Sequence, residues 1–260
     1  MRRSVRYLLL MFIGLPLLTV GYLSVVTAWQ FPQLWDAPFS FRHWQSLLED
    51  TNQLGRSLGL SLLISGSLAL VGTALGFWVS RELCFRLQRR SWLQLAYYPY
   101  LIAPVVLGAM LQFYFVRWNL TGSILGVMLA QLLFIFPYSV LLLATFWSEE
   151  VRKLALQAHS LGASDRQVNR QIIFPLARPW LILSMVQCFL ISWFEYGITQ
   201  LIGVGKVPTL TIQVMHFVKE ANPHQAALAA SLMLLPLLFV LLANRRLLTN
   251  MMVHDRGSAT

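Results

Sequence analysis

The chain has 260 residues, of which 57% are hydrophobic and 12% are charged, and its formal net charge is +10. This composition excludes an ordinary soluble domain, in which about a quarter of the residues are charged. The positive charge could indicate nucleic acid binding, but the basic residues stand at the ends of apolar runs, which is typical of a membrane protein. The two cysteines, Cys84 and Cys188, match no metal-site spacing and are predicted to be unpaired thiols.

Six apolar runs are each long enough to cross a hydrocarbon core about 30 Å thick. The predicted spans are residues 7–29, 57–80, 97–116, 121–146, 180–202 and 225–244. The mixed, aromatic stretch 30–56 suits an external loop on the membrane surface. The sequence therefore predicts an all-α integral membrane protein with six transmembrane helices in a single domain, residues 1–260.

Local signals refine some of these spans. Three arginines precede the first run, which is longer than the apolar core of a signal peptide, so we interpret it as a retained span. Pro137 is expected to interrupt the fourth span. Asn222 is predicted to cap the last helix, with Pro223 at its first position.

Small side chains recur at helical spacing in the second predicted span. They are Ser61, Ser65, Ala69, Gly72 and Gly76. Strips of this kind let helix backbones approach closely in lipid. We predict that this strip packs against another helix and carries no chemistry.

Residues 149–175, called the polar segment below, are the longest charged stretch between two apolar runs. An apolar stripe at helical spacing is predicted for Val151, Leu154, Ala158 and Leu161. Gly162 is predicted to end this helix in a left-handed conformation.

The second half of the polar segment is predicted to be another short helix. Ser164 and Gln167 have the spacing of a capping box that starts it. Pro175 is predicted to stop it. The polar segment is therefore predicted to be a helix–turn–helix between spans four and five.

The same residues resemble the cytoplasmic signature of permeases from binding-protein-dependent ABC importers. That signature reads Glu-Ala-Ala, three residues, Gly, nine residues, and Ile-x-Leu-Pro. The matching positions are Ala158, Gly162, Ile172 and Pro175. Phe174 stands where the family has Leu, and Leu156-Gln157 replaces the family's Glu-Ala. The run Pro-Val-Val-Leu-Gly at 104–108 is similar to the family's third-span pattern.

The resemblance implies a type I permease fold in a bacterial cytoplasmic membrane, with a non-enzymatic role. It implies separate ATPase subunits that bind ATP, a second permease copy or paralogue, and an extracytoplasmic solute-binding protein. This chain would then need no cofactor or metal, and no nucleic acid. The polar segment would be the coupling element, with these residues at the ATPase: Leu156, Gln157, Ala158, His159, Leu161, Gly162, Ala163, Ile172 and Pro175. The nearest group in the family handles polyamines, thiamine, ferric iron or oxyanions.

Charge bias predicts the orientation. Fifteen of the 20 Lys and Arg residues fall in the segments placed inside by the six-span arrangement. Because basic residues accumulate on the cytoplasmic side, both termini and the polar segment are predicted to be cytoplasmic.

Glu195 is the only acidic residue inside a predicted span. Carboxylates are costly in a membrane and usually face a bundle interior or a water-filled path. Glu195, with its neighbour Tyr196, is therefore a candidate for the translocation path. The alternatives are a structural hydrogen bond to a neighbouring helix, or a hydrated position near the surface.

Two other function classes compete with a permease. A secondary transporter would carry ion-coupling residues in broken helices, and Glu195 alone is available for that role. A membrane-embedded enzyme would need clustered His, Asp or Glu at one membrane face. His216, Glu220 and His224 have helical spacing, but Pro223 is expected to break their helix, so a solvated surface is favoured.

Overall fold

The computed structural model describes residues 2–26, 42–45, 53–87 and 89–239, and its regular elements there are helices. Much of the predicted external loop, the end of the first predicted span and residues 240–244 of the sixth lie outside the described residues. The all-helical prediction is confirmed for the described ranges.

Eleven α-helices, numbered in chain order, are present in the described ranges. They are α1 Arg2–Val25, α2 Arg42–Gln45, α3 Gln53–Arg81, α4 Pro104–Arg117, α5 Ile124–Ala144, α6 Glu149–Ser160, α7 Asp165–Val168, α8 Phe174–Trp193, α9 Gly197–Gly203, α10 Leu210–Lys219 and α11 Pro223–Phe239. A π-turn, Glu82–Arg86, follows α3, and a 3-10 helix, Arg90–Leu101, precedes α4. A second π-turn, Asn169–Ile173, joins α7 to α8.

Three helical stretches among the described residues are long and apolar enough to cross a membrane. They are Gln53–Arg86, Ile124–Ala144 and Asp165–Trp193. The 3-10 helix and α4 would make a fourth if the bent pair is one span, and two shorter apolar helices are Gly14–Val25 and Pro223–Phe239. The chain is thus a membrane protein with three to four candidate spans in this part.

The chain forms two compact units, Met1–Ser61 with Pro208–Thr260, and Leu62–Val207. In the first unit, the hydroxyl of Ser61 accepts a hydrogen bond from the Leu210 amide at 2.7 Å, at the start of α10. The carbonyl of Asn222's side chain accepts from the Gln225 amide at 3.3 Å, and α11 begins at Pro223. The predicted cap of the last helix is therefore confirmed.

The second unit is built around the contact of α3 with α5 and α8. A Cβ on Gly72 would lie 2.9 Å from the Cγ2 of Ile135, and one on Gly76 only 2.1 Å from the Oγ of Ser139. The Oγ atoms of Ser139 and Ser184 are 2.9 Å apart, which ties α5 to α8. The strip of small residues is confirmed as a surface of close helix packing at Gly72 and Gly76.

The third predicted span, 97–116, is not one straight helix, and it is a candidate span only as a bent pair. The 3-10 helix and α4 meet at 91°. The backbone between them is extended at Ile102 and Ala103, because the ring of Pro104 disfavours a helical conformation in the residue before it.

The prediction that Pro137 interrupts the fourth span is wrong, because α5 is continuous from Ile124 to Ala144 with Pro137 inside it. Proline has no N–H, so it leaves the carbonyl of Leu133 without its usual helical donor. One residue along, the hydroxyl of Tyr100 donates to the carbonyl of Phe134 at 2.5 Å. That bond reaches the neighbouring carbonyl and not that of Leu133, so it marks a close contact between the 3-10 helix and α5 beside this proline.

The fifth predicted span, 180–202, is likewise not one helix. The α8 helix ends at Trp193 and α9 begins at Gly197. A Cβ on Gly197 would lie 2.3 Å from the Cγ2 of Val105, so α9 starts in close contact with α4. The break between the two helices holds Glu195, whose contacts are described below.

Candidate functional site

The first helix of the polar segment forms as predicted. The α6 helix begins after Ser148, whose hydroxyl accepts from the Val151 amide at 3.4 Å. Glu149 and Glu150 occupy its first turn, where carboxylates interact favourably with the helix dipole. These features fix where the helix begins, four residues after the end of α5.

The turn after α6 is also as predicted. Gly162 has a φ of +88°, in the left-handed region. Its amide donates to the His159 carbonyl at 2.9 Å, and the amide of Ala163 donates to the Ala158 carbonyl at 3.0 Å. This pair of bonds is a Schellman motif, which satisfies carbonyls at the helix end. The ring Nδ1 of His159 lies 3.0 Å from the Ala163 carbonyl and adds a contact across the turn.

The next helix begins with the predicted capping box. The amide of Ser164 donates to the Oε1 of Gln167 at 2.9 Å, and the side chain of Ser164 receives the reciprocal bond. Asp165 follows in the first turn of α7. The geometry of the whole turn from Ser160 to Gln167 is therefore specified by its own sequence.

The prediction that Pro175 stops this helix is wrong. The chain stays helical from Asp165 to Trp193, with the π-turn Asn169–Ile173 inside it. The amide of Phe174 closes the π-turn on the Asn169 carbonyl, and Pro175 comes at the start of α8. The helix passes through the π-turn and then through Pro175 without ending.

The buried face of α6 differs from the predicted stripe. Val151 and Ala155 are buried, in one cluster with Trp147 and Val168, whereas Leu154 and Leu161 are 46% and 88% exposed. The buried face of α6 thus carries valine and alanine, and the two leucines of the predicted stripe are exposed.

The exposed face carries most of the residues singled out from the sequence. Leu156 is 58% exposed, on the side of α6 away from the buried cluster. The other exposed members are Gln157, His159, Leu161, Gly162 and Pro175, and the half-buried members are Ala158, Ala163 and Ile172. Residues 156–163 lie at the end of α6 and in the turn after it, with exposed leucine side chains, whereas Ile172 lies in the π-turn and Pro175 at the start of α8.

Glu195 lies in the break between α8 and α9 and caps α9. Its Oε1 accepts from the Ile198 amide at 2.8 Å. Its Oε2 accepts from the amide of Thr199 at 3.0 Å and from the hydroxyl of Thr199 at 2.9 Å. The half-buried Tyr196 follows it and accepts from the Gln200 amide at 2.8 Å through its carbonyl. The role of both residues in a translocation path stays a prediction.

Sequence reasoning missed Gln131, which extends this cluster into α5. Its amide nitrogen donates to the hydroxyl of Thr199 at 2.8 Å, and its oxygen accepts from Ser192 at 2.6 Å. Gln131 is 2% exposed, so both ends of a buried amide are satisfied. The signal that could have found it is a lone amide in the apolar run of α5.

No group of three or more His, Cys, Asp or Glu side chains in the described ranges is arranged to hold a metal ion. The Nδ1 of His216 lies 3.2 Å from the Oε2 of Glu220, whereas the Nδ1 of His224 lies 3.3 Å from the carbonyl of Leu23. The α10 helix ends at Lys219, so the three residues do not share one helix.

Comparison with known proteins gives relatives of one kind. The chain is 29% identical over 151 residues to "Sulfate permease 2, chloroplastic" of Chlamydomonas reinhardtii, which is 52% of this chain and 41% of that protein. It is 29% identical over 155 residues to "Inner membrane ABC transporter permease protein YnjC" of Escherichia coli, 58% of this chain and 29% of that one. It is 24% identical over 243 residues to "Putative 2-aminoethylphosphonate transport system permease protein PhnV" of Salmonella typhimurium, 92% of this chain and 90% of that one.

The matched region thus covers less than half of the length of the first two relatives. A family match covers more of this chain, residues 72–252, and includes α4 to α11 and the entire polar segment. The chain belongs to the family of binding-protein-dependent transport system inner membrane components.

Proposed function

We propose that this chain is the membrane-spanning permease subunit of an ATP-driven importer. It forms the solute path and docks through the polar segment on a separate ATPase subunit. The observation that carries the proposal is the exposed turn of the polar segment, in which the side chains of Leu156 and Leu161 are 58% and 88% exposed in the described part of the chain. The family match over residues 72–252 supports it, because that family works with a binding protein.

The docking surface combines rigidity with exposed apolar area. The Schellman motif at Gly162 and the capping box at Ser164 hold the turn by hydrogen bonds within the segment. Leu161, at the turn itself, is 88% exposed. An apolar side chain of this size gains about 1.5–3 kcal/mol when it is buried fully. A cleft on the ATPase that covers Leu156 and Leu161 would therefore bind the segment largely through apolar contact.

The solute path is proposed to pass the break between α8 and α9. The cluster of Glu195, Thr199, Gln131 and Ser192 places four polar side chains at this break, within otherwise apolar helices. Polar groups at membrane depth usually line a path or a bundle interior. Tyr196 lies beside the cluster and is proposed to share this role.

The proposed arrangement has six spans, with both termini and the polar segment in the cytoplasm. Fifteen of the 20 Lys and Arg residues lie on the inner side in this arrangement. The proposed location is the bacterial cytoplasmic membrane. The ATP is bound by the partner, so this chain is proposed to carry no cofactor and no enzymatic activity of its own.

The proposed assembly contains two ATPase subunits, a second permease that is a copy or a paralogue, and an extracytoplasmic solute-binding protein. Two relatives carry sulfate or 2-aminoethylphosphonate in their names. Both compounds contain a tetrahedral anionic group, a sulfate or a phosphonate, which makes solutes with such a group the first to test. Polyamines, thiamine and ferric iron follow them.

Purification of the intact complex tests this function. The tagged chain is extracted from its native membrane in mild detergent, and the subunits that accompany it are identified and assayed for ATP hydrolysis. We expect an ATPase subunit in stoichiometric amount. A secondary transporter would purify without an ATPase, and that result would overturn the proposal. A tagged, unrelated membrane protein from the same membranes serves as the control for chance association.

A further inference from the structure

Trp147 lies at the joint between α5 and α6, just before Ser148, the residue that caps α6. Its side chain is 1% exposed, and it is the largest fully buried side chain in the described part of the chain. Tryptophan is rarely buried completely, and when it is, the indole N–H usually has a partner. A fully buried tryptophan in a four-residue joint therefore calls for a reason beyond simple filling of space.

The contacts of Trp147 reach several other elements. Its indole nitrogen donates to the hydroxyl of Ser80 at 2.9 Å, near the end of α3. Ser80 in turn donates to the carbonyl of Phe77 at 3.1 Å, so the hydroxyl is used in both directions. The guanidinium of Arg90, at the start of the 3-10 helix, donates to the backbone carbonyl of Trp147.

Aromatic rings enclose the indole. The ring centroids of Phe77, Phe85 and Phe146 lie 5.3, 5.4 and 4.8 Å from that of Trp147. These distances are within the range in which aromatic pairs attract each other. Phe77 belongs to α3 and Phe85 to the π-turn after it, so the indole is held from the α3 side as well as from its own joint.

A second tie connects the same elements. The guanidinium of Arg81, the last residue of α3, donates to the side-chain oxygen of Asn169 at 2.7 Å. Asn169 begins the π-turn at the end of the polar segment's turn region. The end of α3 is thus bonded at two places, to Trp147 just before the polar segment and to Asn169 within it.

We propose that Trp147 is a positioning residue, which makes the polar segment, the end of α3 and the start of the 3-10 helix move as one body. This inference rests on the proposed function, because only a docked ATPase would apply force to the polar segment. Without the tie at Trp147, that force would reach α3 only through the bond from Arg81 to Asn169 and through the covalent joints with α5 and α8. With it, α3 and the 3-10 helix are displaced together with α6.

Two conservative substitutions isolate the tie. Trp147→Phe keeps an aromatic ring and removes the indole N–H, and Ser80→Ala removes its acceptor. Both delete the same hydrogen bond, so the double variant is expected to behave like either single one. Trp193→Phe is the matched control, since Trp193 is 2% exposed and stacks on Phe189 near the far end of α8.

The measurement is a distance between spin labels in the purified complex with its ATPase subunits. The labels are placed at two exposed positions by Trp78→Cys on α3 and Glu150→Cys on α6. Spectra are recorded without nucleotide and with ATP and vanadate. The two native cysteines are buried, and the chain without introduced cysteines serves as the labelling control.

The parent and Trp193→Phe are expected to keep one narrow distance in both states. In Trp147→Phe and Ser80→Ala, a second distance is expected beside the first one when ATP and vanadate are present. The ratio of the second distance population to the first is expected to rise about fivefold over the parent, which corresponds to the loss of one hydrogen bond of ~1 kcal/mol. A distance that changes in the parent, or stays single in both variants, would overturn the proposal. If no ATPase accompanies the parent chain, the proposed function fails instead, and the two failures are distinguishable.

Discussion

Replacing Gly162 by valine tests the turn of the polar segment directly. Gly162 has a φ of +88°, and no heavy atom lies within 4 Å of the place where a Cβ would be. A side chain there meets no neighbour, so its cost is entirely that of the backbone. The left-handed conformation costs an ordinary residue roughly 1–2 kcal/mol, and a β-branched residue is a marked outlier there.

The turn can avoid that cost only by opening. Opening would break the bonds from Gly162 to His159 and from Ala163 to Ala158, each with a net value of about 0.5–1.5 kcal/mol. Either way the docked conformation loses about 2 kcal/mol, which lowers its population relative to the alternatives by roughly thirtyfold. The packing of α3, α5 and α8 is not touched, so the chain is expected to remain in the membrane.

The assay compares Gly162→Val with Gly205→Val, which is a matched control on another turn. Gly205 has a φ of +71° and also has no heavy atom within 4 Å of a Cβ. We expect Gly162→Val to insert normally but to bind the ATPase more weakly and to transport less solute per ATP hydrolysed. Gly205→Val should keep both properties. The reasoning is refuted if Gly162→Val docks and transports like the parent, or if both variants fail equally.

Four further predictions use other features. Leu156→Glu should weaken association with the ATPase in copurification, since it buries an unpaired charge. Full assembly and transport would show that the cleft on the ATPase is not apolar. Glu195→Gln should lower thermal stability and alter solute-stimulated ATP hydrolysis, because one amide oxygen cannot accept all the bonds that two carboxylate oxygens accept; normal transport by both Glu195→Gln and Glu195→Ala would remove Glu195 from the path. Gly76→Ala should reduce thermal stability by roughly 1–3 kcal/mol through overpacking, whereas Gly66→Ala, with no atom within 4 Å, should not; equal melting temperatures would contradict the packing argument. Reporters fused after residues 160 and 210 should lie on opposite sides of the membrane, and a common side would refute the six-span topology.

Signals that act over a few residues were readable from the sequence. Gly162, the pair Ser164 and Gln167, and the pair Asn222 and Pro223 all take the conformations predicted for them. Each depends on hydrogen bonds between residues at most five apart, so the local sequence contains the information. The family resemblance was readable for the same reason, because its signature is a short, fixed spacing.

Signals that depend on a partner helix were not readable. Pro137 and Pro175 were expected to break helices, and both lie within helical stretches. The donor from Tyr100 beside Pro137, and the π-turn before Pro175, come from the three-dimensional arrangement. The break at Glu195 is a different case, because its bonds to Ile198 and Thr199 are local, yet the apolar run 180–202 gave no sign of it.

The buried face of α6 shows a further limit. Hydrophobicity predicted that Leu154 and Leu161 would face inward, yet the inward face holds Val151 and Ala155. A buried face is set by what it contacts, and the neighbour here is the bulky Trp147 with its aromatic surroundings. Leu154 and Leu161 are left on the outer face, 46% and 88% exposed.

The helix from Asp165 to Trp193 is continuous, so it joins the second half of the polar segment to the start of the predicted fifth span as one rod. At 1.5 Å per residue, its 29 residues measure roughly 43 Å from end to end. A tilt of about 10° at the end near the turn would displace the other end by roughly 7 Å if the rod stayed straight. The far end of the helix lies two residues before Glu195. A small tilt of the helix at the turn would therefore cause a larger displacement beside the carboxylate that caps α9.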